Sequence, residues 1–326
     1  MTRPIELGPN WIRRFYRGGS RIAAFRGLPP AGDGAPEDWV ASTTTVFGEN
    51  ELGLSRIDGH TLLVEALAAD PDAFFEPAHL AAYGADPAVL VKLLDAGERL
   101  PLHFHPAAGF AAAHLGARHG KTEAWFILDA DPGAAVHVGF ARELTERELA
   151  DRVVAQDLPS LLETMRRLPV VAGDAIYVPA GVPHVIGAGV LLLELQEPSD
   201  LSLLLEWKDV MPQQQAFLGL ARELVLGAVE RSAVDLRRLT LRRAARLFPA
   251  EADRFFRARL VGGGEQLEAA FSVLIVTEGE GELRPANAGP VRVRRGSALL
   301  VPFASGPVDV TGACRLVQCR PPLPES

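Results

Sequence analysis

The stretch Gly173-Asp174-Ala175-Ile176-Tyr177-Val178-Pro179-Ala180-Gly181-Val182-Pro183-His184 decides how the chain is read. Its spacing is G-x5-P-x-G-x2-H: a glycine turn, a short apolar run of strand type, a Pro/Gly bend, and a histidine brought back just past the bend. Two upstream segments supply partners for that histidine. Leu102-His103-Phe104-His105-Pro106 holds two imidazoles at i and i+2, which a strand projects to one face. In Gly120-Lys121-Thr122-Glu123-Ala124-Trp125-Phe126-Ile127, the side chains of Lys121, Glu123 and Trp125 share one face, and Ala124 and Phe126 the other. A lysine and a glutamate turned towards an apolar interior are costly unless paired or bound to a ligand.

The remaining histidines, His60, His79, His114, His119 and His137, lack such spacing and read as structural or surface residues. The 326 residues suit two domains, or one large elaborated one, at roughly 150 residues per domain. Hydrophobic residues make up 48% of the chain, enough for a sizeable core. With 33 basic against 41 acidic residues, the net charge of −8 gives no electrostatic reason to coat nucleic acid or an anionic membrane. No run approaches the roughly 18 apolar residues of a membrane span, and the N-terminus lacks the apolar core of a signal peptide. A soluble, cytoplasmic protein is expected. Cys314 and Cys319, five residues apart on one expected strand, face opposite ways and are not expected to pair.

Frequent glycine and proline suit many short strands joined by turns. Residues 1–207 hold most strand-like runs, among them Val190–Gln196, apolar on one face and carrying Glu194 and Gln196 on the other. A helical insertion is expected at about residues 141–168, where Thr145-x-x-Glu148 and Ser160-x-x-Glu163 both have capping-box form. Residues 208–258 read as the most helical part, with Leu218, Ala221, Leu224, Val225, Ala228 and Val229 at helical spacing. The arginines that follow (Arg231, Arg237, Arg238, Arg242, Arg243 and Arg246) read as a solvated helix face. Residues 259–326 return to strands and contain no histidine, so metal or proton chemistry is not expected there.

The Gly173–His184 spacing matches the second motif of the cupins, and His-x-His with the later Glu123 corresponds to their first motif across a longer gap. Three imidazoles and one carboxylate then make a four-ligand set for a borderline divalent metal. More specifically, the chain resembles the class I mannose-6-phosphate isomerases, which are zinc-dependent cupins. The resemblance runs in order through Glu37-Asp38-Trp39-Val40-Ala41-Ser42, Val91–Ala96, His105-Pro106, Gly120–Trp125, Gly173–His184 and Leu193–Asp200, and ends in a C-terminal strand domain like the family's metal-free cupin.

The resemblance implies a mainly β fold of two cupin (jelly-roll) barrels with helical insertions. It also implies an aldose–ketose isomerase that acts through an enediol on mannose 6-phosphate, fructose 6-phosphate or a closely related sugar. Carried over by position, the metal ligands are His103, His105, Glu123 and His184. Lys121 and Glu194 become the catalytic candidates, and Lys92, Gln196 and Trp125 the substrate-binding ones. Zinc is the expected metal, with manganese or iron as alternatives. Two departures stand out. The family usually has glutamine at the place of His103, and the three-His, one-Glu set also suits a cupin oxygenase or lyase. At Leu203-Leu204 the family has an arginine, whose loss also fits a sugar-binding homologue; Lys208, Arg14, Arg17 and Arg142 are the candidates to replace it.

Overall fold

The computed structural model describes residues 1–29, 32–242 and 246–324. Its strands form four antiparallel sheets, which pair into the two barrels expected from the sequence. In the first barrel, a seven-stranded sheet runs Thr240–Arg242, Asp174–Val178, Glu123–Ala130, Val190–Gln196, Leu90–Ala96, Glu37–Val40, Trp11–Ile12. The facing sheet has five strands in the order Leu203–Leu204, His103–Phe104, His184–Ile186, Ala135–Phe140, Met165–Pro169. In the second barrel, a five-stranded sheet built on Ser272–Glu278 faces a four-stranded one built on Glu280–Pro285. The Ile5–Glu6 strand from the start of the chain pairs with Ala298–Val301 in this second barrel.

Strand alternation sorts the residues. Along Val190–Gln196, Val190 and Leu192 point into the first barrel with Leu94, Ile127 and Ile176. Leu191, Leu193 and Leu195 point outward into a second apolar layer with Val91 and Phe126, and there meet Val273, Ile275, Leu300 and Val317 of the other barrel. The seven-stranded sheet is therefore buried on both faces, which is why its strands read as near-continuous apolar runs. Glu194 and Gln196 continue the inward face. The interior of the second barrel is filled by aliphatic side chains such as Val261, Leu274, Leu283, Leu299 and Leu316. Cys314 lies in that interior and Cys319 in the layer between the barrels, and both are free thiols.

The helices depart from the sequence reading. Thr145 and Glu148 form the expected reciprocal cap of the Glu146–Ala155 helix. The second cap is a correction: Asp157, not Ser160, caps the helix Leu158–Glu163, its side chain accepting from the Ser160 backbone N–H. That helix gives way to the strand Met165–Pro169, so the last residues of the expected insertion belong to a sheet. Residues 208–258 also need correction, because no long helix forms there. Short helices at Gln213–Ala216, Arg222–Gly227 and Leu236–Leu239 are separated by turns, with Gly219 at φ 78° breaking the first two apart. Val225 and Val229 still reach the core beside Leu149 and Val153, which explains their helical spacing without a continuous helix. Of the arginine run, Arg237 and Arg238 are solvated, while Arg243 lies outside the described residues.

If burial against the second barrel holds the seven-stranded sheet in place, removing a side chain from that layer is expensive. Leu193→Ala, at a fully buried position, is expected to cost about 2–5 kcal/mol by denaturant unfolding. A loss below about 1 kcal/mol would show that the layer is not close-packed.

Candidate metal centre and cavity

The strand register places the histidines. His103 lies directly across from His184 in the antiparallel pair, and His105 follows two residues on. The bend before His184 depends on glycine backbone, with Gly173 at φ 92° and Gly181 at φ 85° opening and closing the motif. The three rings converge, their centroids 4.2 to 5.0 Å apart. Each Nδ1 faces a backbone carbonyl: His103 that of Pro101 at 2.8 Å, His105 that of Leu201 at 2.8 Å, His184 that of Val182 at 2.9 Å. These contacts assign the proton to Nδ1 and leave each Nε2 as a lone pair pointing at the common centre.

His103 Nε2 and His184 Nε2 are 2.9 Å apart. Two lone pairs that close repel each other unless a cation or proton lies between them. Glu123 adds negative charge at the same place, with Oε2 2.9 Å from His105 Nε2 and Oε1 3.3 Å from His184 Nε2. Its Oε1 accepts from Trp125 Nε1 at 3.0 Å, whereas Oε2 is buried without a hydrogen bond. Three imidazole lone pairs and a carboxylate oxygen whose cationic neighbour is Lys121, all converging, are the donor set of a borderline divalent cation. The residues present fit such an ion.

Beside this centre lies a cavity of about 220 Å³. Lys121 reaches it from the loop before Glu123, and Lys92 from the strand Leu90–Ala96 on the far side of Val190–Gln196. Lys121 Nζ is 3.1 Å from Glu123 Oε2 and 3.8 Å from Glu194 Oε1, while Lys92 Nζ is 3.3 Å from Glu194 Oε1 and 3.7 Å from Glu37 Oε2. Burial pushes the Glu194 carboxyl above its ordinary value, although both lysines act against it. Burial also works against the Lys92 ammonium, but Glu194 and Glu37 more than offset it and hold its pKa up. The Lys92 ammonium also sits over the Trp39 ring, 5.0 Å from its centre.

Seven of the expected site residues meet around one point: His103, His105, Glu123, His184, Lys121, Lys92 and Glu194. Of the nine, Lys92, His103, Lys121, Glu123 and Glu194 line the cavity, whereas His105, His184, Trp125 and Gln196 do not. For Trp125 and Gln196, expected to bind substrate, this is a correction. Trp125 lies behind Glu123 and holds it. Gln196 is fully buried, its amide donating to the carbonyls of Glu197 and Ser199, so it ties down the loop that braces Lys121. Sequence reading missed Tyr16 altogether, and used Glu37 and Asp200 as landmarks without giving them a place in the site. Both carboxylates line the cavity and clasp Arg14, through Nε to Glu37 at 3.0 Å and Nη2 to Asp200 at 2.5 Å. Arg17 and Arg142 instead point to solvent on Glu98 and Glu148, and Lys208 is exposed. Leu204 lines the cavity in register with His103.

Burial lowers the pKa of all three clustered histidines. It is the main cause for His103, reinforced by His184 and His105; His105 is brought down to about 3, with Lys121 adding to burial; for His184, Glu123 partly opposes it. An unfolded imidazole takes up its proton near 6.5, so the folded chain binds fewer protons below that value and loses stability as pH falls. The melting temperature of the metal-free chain, followed from about pH 8 to about pH 4, should be level above 6.5 and fall below it, less steeply in His105→Gln. A flat profile across that range would contradict the neutral, converging arrangement.

No family model matches the chain. It is 41% identical over 112 residues to a mannose-6-phosphate isomerase of Streptococcus mutans, a match covering 34% of this chain and 34% of that protein. It is 32% identical over 200 residues to GmuF of Bacillus subtilis, a probable mannose-6-phosphate isomerase, covering 61% of this chain and 60% of that one. The chain thus matches these relatives over less than two thirds of their length. Among solved structures it superposes on the mannose 6-phosphate isomerase of Bacillus subtilis with a TM-score of 0.76 and 22% identity, covering 97% of this chain and 99% of the other. A mannose 6-phosphate isomerase bound with zinc and yttrium gives a TM-score of 0.73 at 16% identity, covering 98% and 100%. The chain has the fold of the mannose-6-phosphate isomerases along nearly its whole length, and resembles them in sequence over part of it.

Proposed function

We propose that the chain is a metal-dependent aldose–ketose isomerase, moving a proton between C1 and C2 of mannose 6-phosphate and fructose 6-phosphate, or of a closely related sugar, through an enediol. The observation that carries this reading is the meeting of three imidazole lone pairs and Glu123 beside a carboxyl, Glu194, flanked by two lysines. His103, His105, Glu123 and His184 would hold the ion, zinc first, with manganese or iron as alternatives. Such an ion, when bound, supplies a Lewis acid that polarises a carbonyl oxygen.

The other residues divide the remaining work. Glu194, its pKa raised by burial and 3.8 Å from Lys121, forms with that lysine a pair able to take a proton at one carbon and return it at the next. Lys92 stays charged and fixes the Glu194 carboxyl from the far side. Trp125 and Gln196 position Glu123 and the Lys121 loop rather than touching sugar. In this reading the metal-binding barrel is built mainly from residues 1–207 with the Thr240–Arg242 strand, short helices in 208–258 link it onward, and 259–326, joined by Ile5–Glu6, make the metal-free barrel. The sugar is the partner; nucleic acid and membrane are not. No helix among the described residues is long and apolar enough to cross a membrane, and a cytoplasmic site of action fits.

His103 favours one second reading, a cupin oxygenase or lyase on a three-His, one-Glu site. Oxygen uptake by the iron-loaded chain with a candidate substrate would support it.

Two experiments test the main reading. With sugar in D2O and the metal-loaded chain, deuterium should enter at C1 or C2 of recovered substrate and product. Glu194→Gln should cut that turnover by about 10²–10⁴-fold with metal content unchanged; full activity in this variant would remove Glu194 from the chemistry. Separately, Glu123→Ala and His103→Ala should each lose the bound metal together with turnover, and turnover that persists without metal would refute the metal's part.

A further inference from the structure

The charges lining the cavity form a closed set. Its basic side chains among the described residues are Arg14, Lys92 and Lys121, and its carboxylates are Glu37, Glu123, Glu194 and Asp200. Both edges of the Arg14 fork are occupied: Nε and Nη2 reach Glu37 at 3.0 and 3.2 Å, and Nη1 and Nη2 reach Asp200 at 3.0 and 2.5 Å. Lys92 is 2% exposed and lies between Glu194 and Glu37. Lys121 is held against Glu123 and Glu194. A divalent ion on the imidazoles would change the total, but at the reacting end only.

The rest of the wall is mainly apolar, its uncharged polar side chains being Tyr16, His103, Ser202 and Gln215. Leu100, Leu204, Met211 and Leu218 line it, and the rim carries the rings of Phe15 and Phe47, 53% and 52% exposed. The Phe47 backbone N–H, a donor that could meet an anion there, already donates to Asp200 at 3.1 Å. A phosphate monoester carries close to two negative charges at neutral pH and needs a guanidinium fork, a free ammonium or a backbone cradle. Seating one here would put it beside Asp200, or strip Arg14 from two buried carboxylates and leave them unpaired.

We infer that the cavity takes an uncharged sugar, a neutral aldose or ketose, in preference to its phosphate ester. This narrows the substrate class of the isomerase reading and rests on it only for what is done to the bound sugar. Apolar walls and rim rings suit the C–H faces of a sugar, while the paired charges offer its hydroxyls fixed donors and acceptors.

The test is titration calorimetry of the zinc-loaded full chain with mannose, fructose and their 6-phosphates at one ionic strength. Deuterium exchange is followed on the same four sugars. The neutral sugars should bind at least about tenfold more tightly than the esters, and Asp200→Asn, which frees one edge of the Arg14 fork, should narrow that gap by about tenfold. Should Asp200→Asn not fold, the comparison in the unaltered chain decides alone. Esters that bind as tightly as the neutral sugars, or better, overturn the inference; if they also exchange deuterium, the isomerase reading stands without it. Neutral sugars that bind preferentially but never exchange leave this inference standing and sink the isomerase reading. Failure of all four to bind overturns the inference as well.

Discussion

Three hydrogen bonds hold the site in order: those from the Nδ1 atoms of His103, His105 and His184 to the backbone carbonyls of Pro101, Leu201 and Val182. Each fixes a ring's rotation and tautomer at once, and together they drive three Nε2 lone pairs to one point. Around that point the lone pairs repel one another, and the Lys121 ammonium, 3.1 Å from Glu123 Oε2 and 2.9 Å from His105 Nε2, offsets this on one side only. His103 and His184 are paired strand to strand on the five-stranded sheet, and Glu123 meets them from the facing seven-stranded sheet. Glu123, Lys92 and Glu194 stand on three adjacent strands of a sheet packed on both faces, inward on the first barrel and outward on the second.

That two-sided burial also gives the second barrel a purpose. Its interior is mostly aliphatic, with the Cys314 thiol and the hydrogen-bonded pair Gln318 and Ser272 as its polar members. What it contributes is an apolar backing: Val273, Ile275, Leu300 and Val317 pack on the outward face of the strands whose inward face carries Glu123, Lys92 and Glu194. Catalytic geometry is held to a fraction of an ångström only by side chains whose supports are themselves immobile.

Much of this was legible in the sequence because it is local. His103 and His105 two apart on a strand, Lys121 and Glu123 two apart on another, and the glycine-bounded run to His184 each carry their geometry in their spacing. Strand runs and turn residues made the many short strands legible, while the two barrels followed from the resemblance to the cupin isomerases. What stayed hidden is non-local. Arg14 and Asp200 meet across 186 residues, and a pair of opposite charges at that distance leaves no periodic trace. Tyr16, hydrogen-bonded to Glu37, gave no signal at all. Trp125 and Gln196 were placed on the correct strand face, but their side chains turn to Glu123 and to the Glu197–Ser199 loop instead of the cavity. The spacing at Leu218–Val229 misled because the chain breaks at Gly219 and still buries Val225 and Val229, two of the residues one long helix would bury, while Ala221 is exposed.

The account stands or falls on what the converging histidines hold. X-ray absorption at the metal edge of the zinc-loaded chain measures this directly, by counting the imidazoles around the ion. The account predicts one ion with three imidazole nitrogens and a carboxylate oxygen in its shell, falling to two imidazoles in His103→Gln. A shell with one imidazole or none, or one that His103→Gln leaves unchanged, would contradict it.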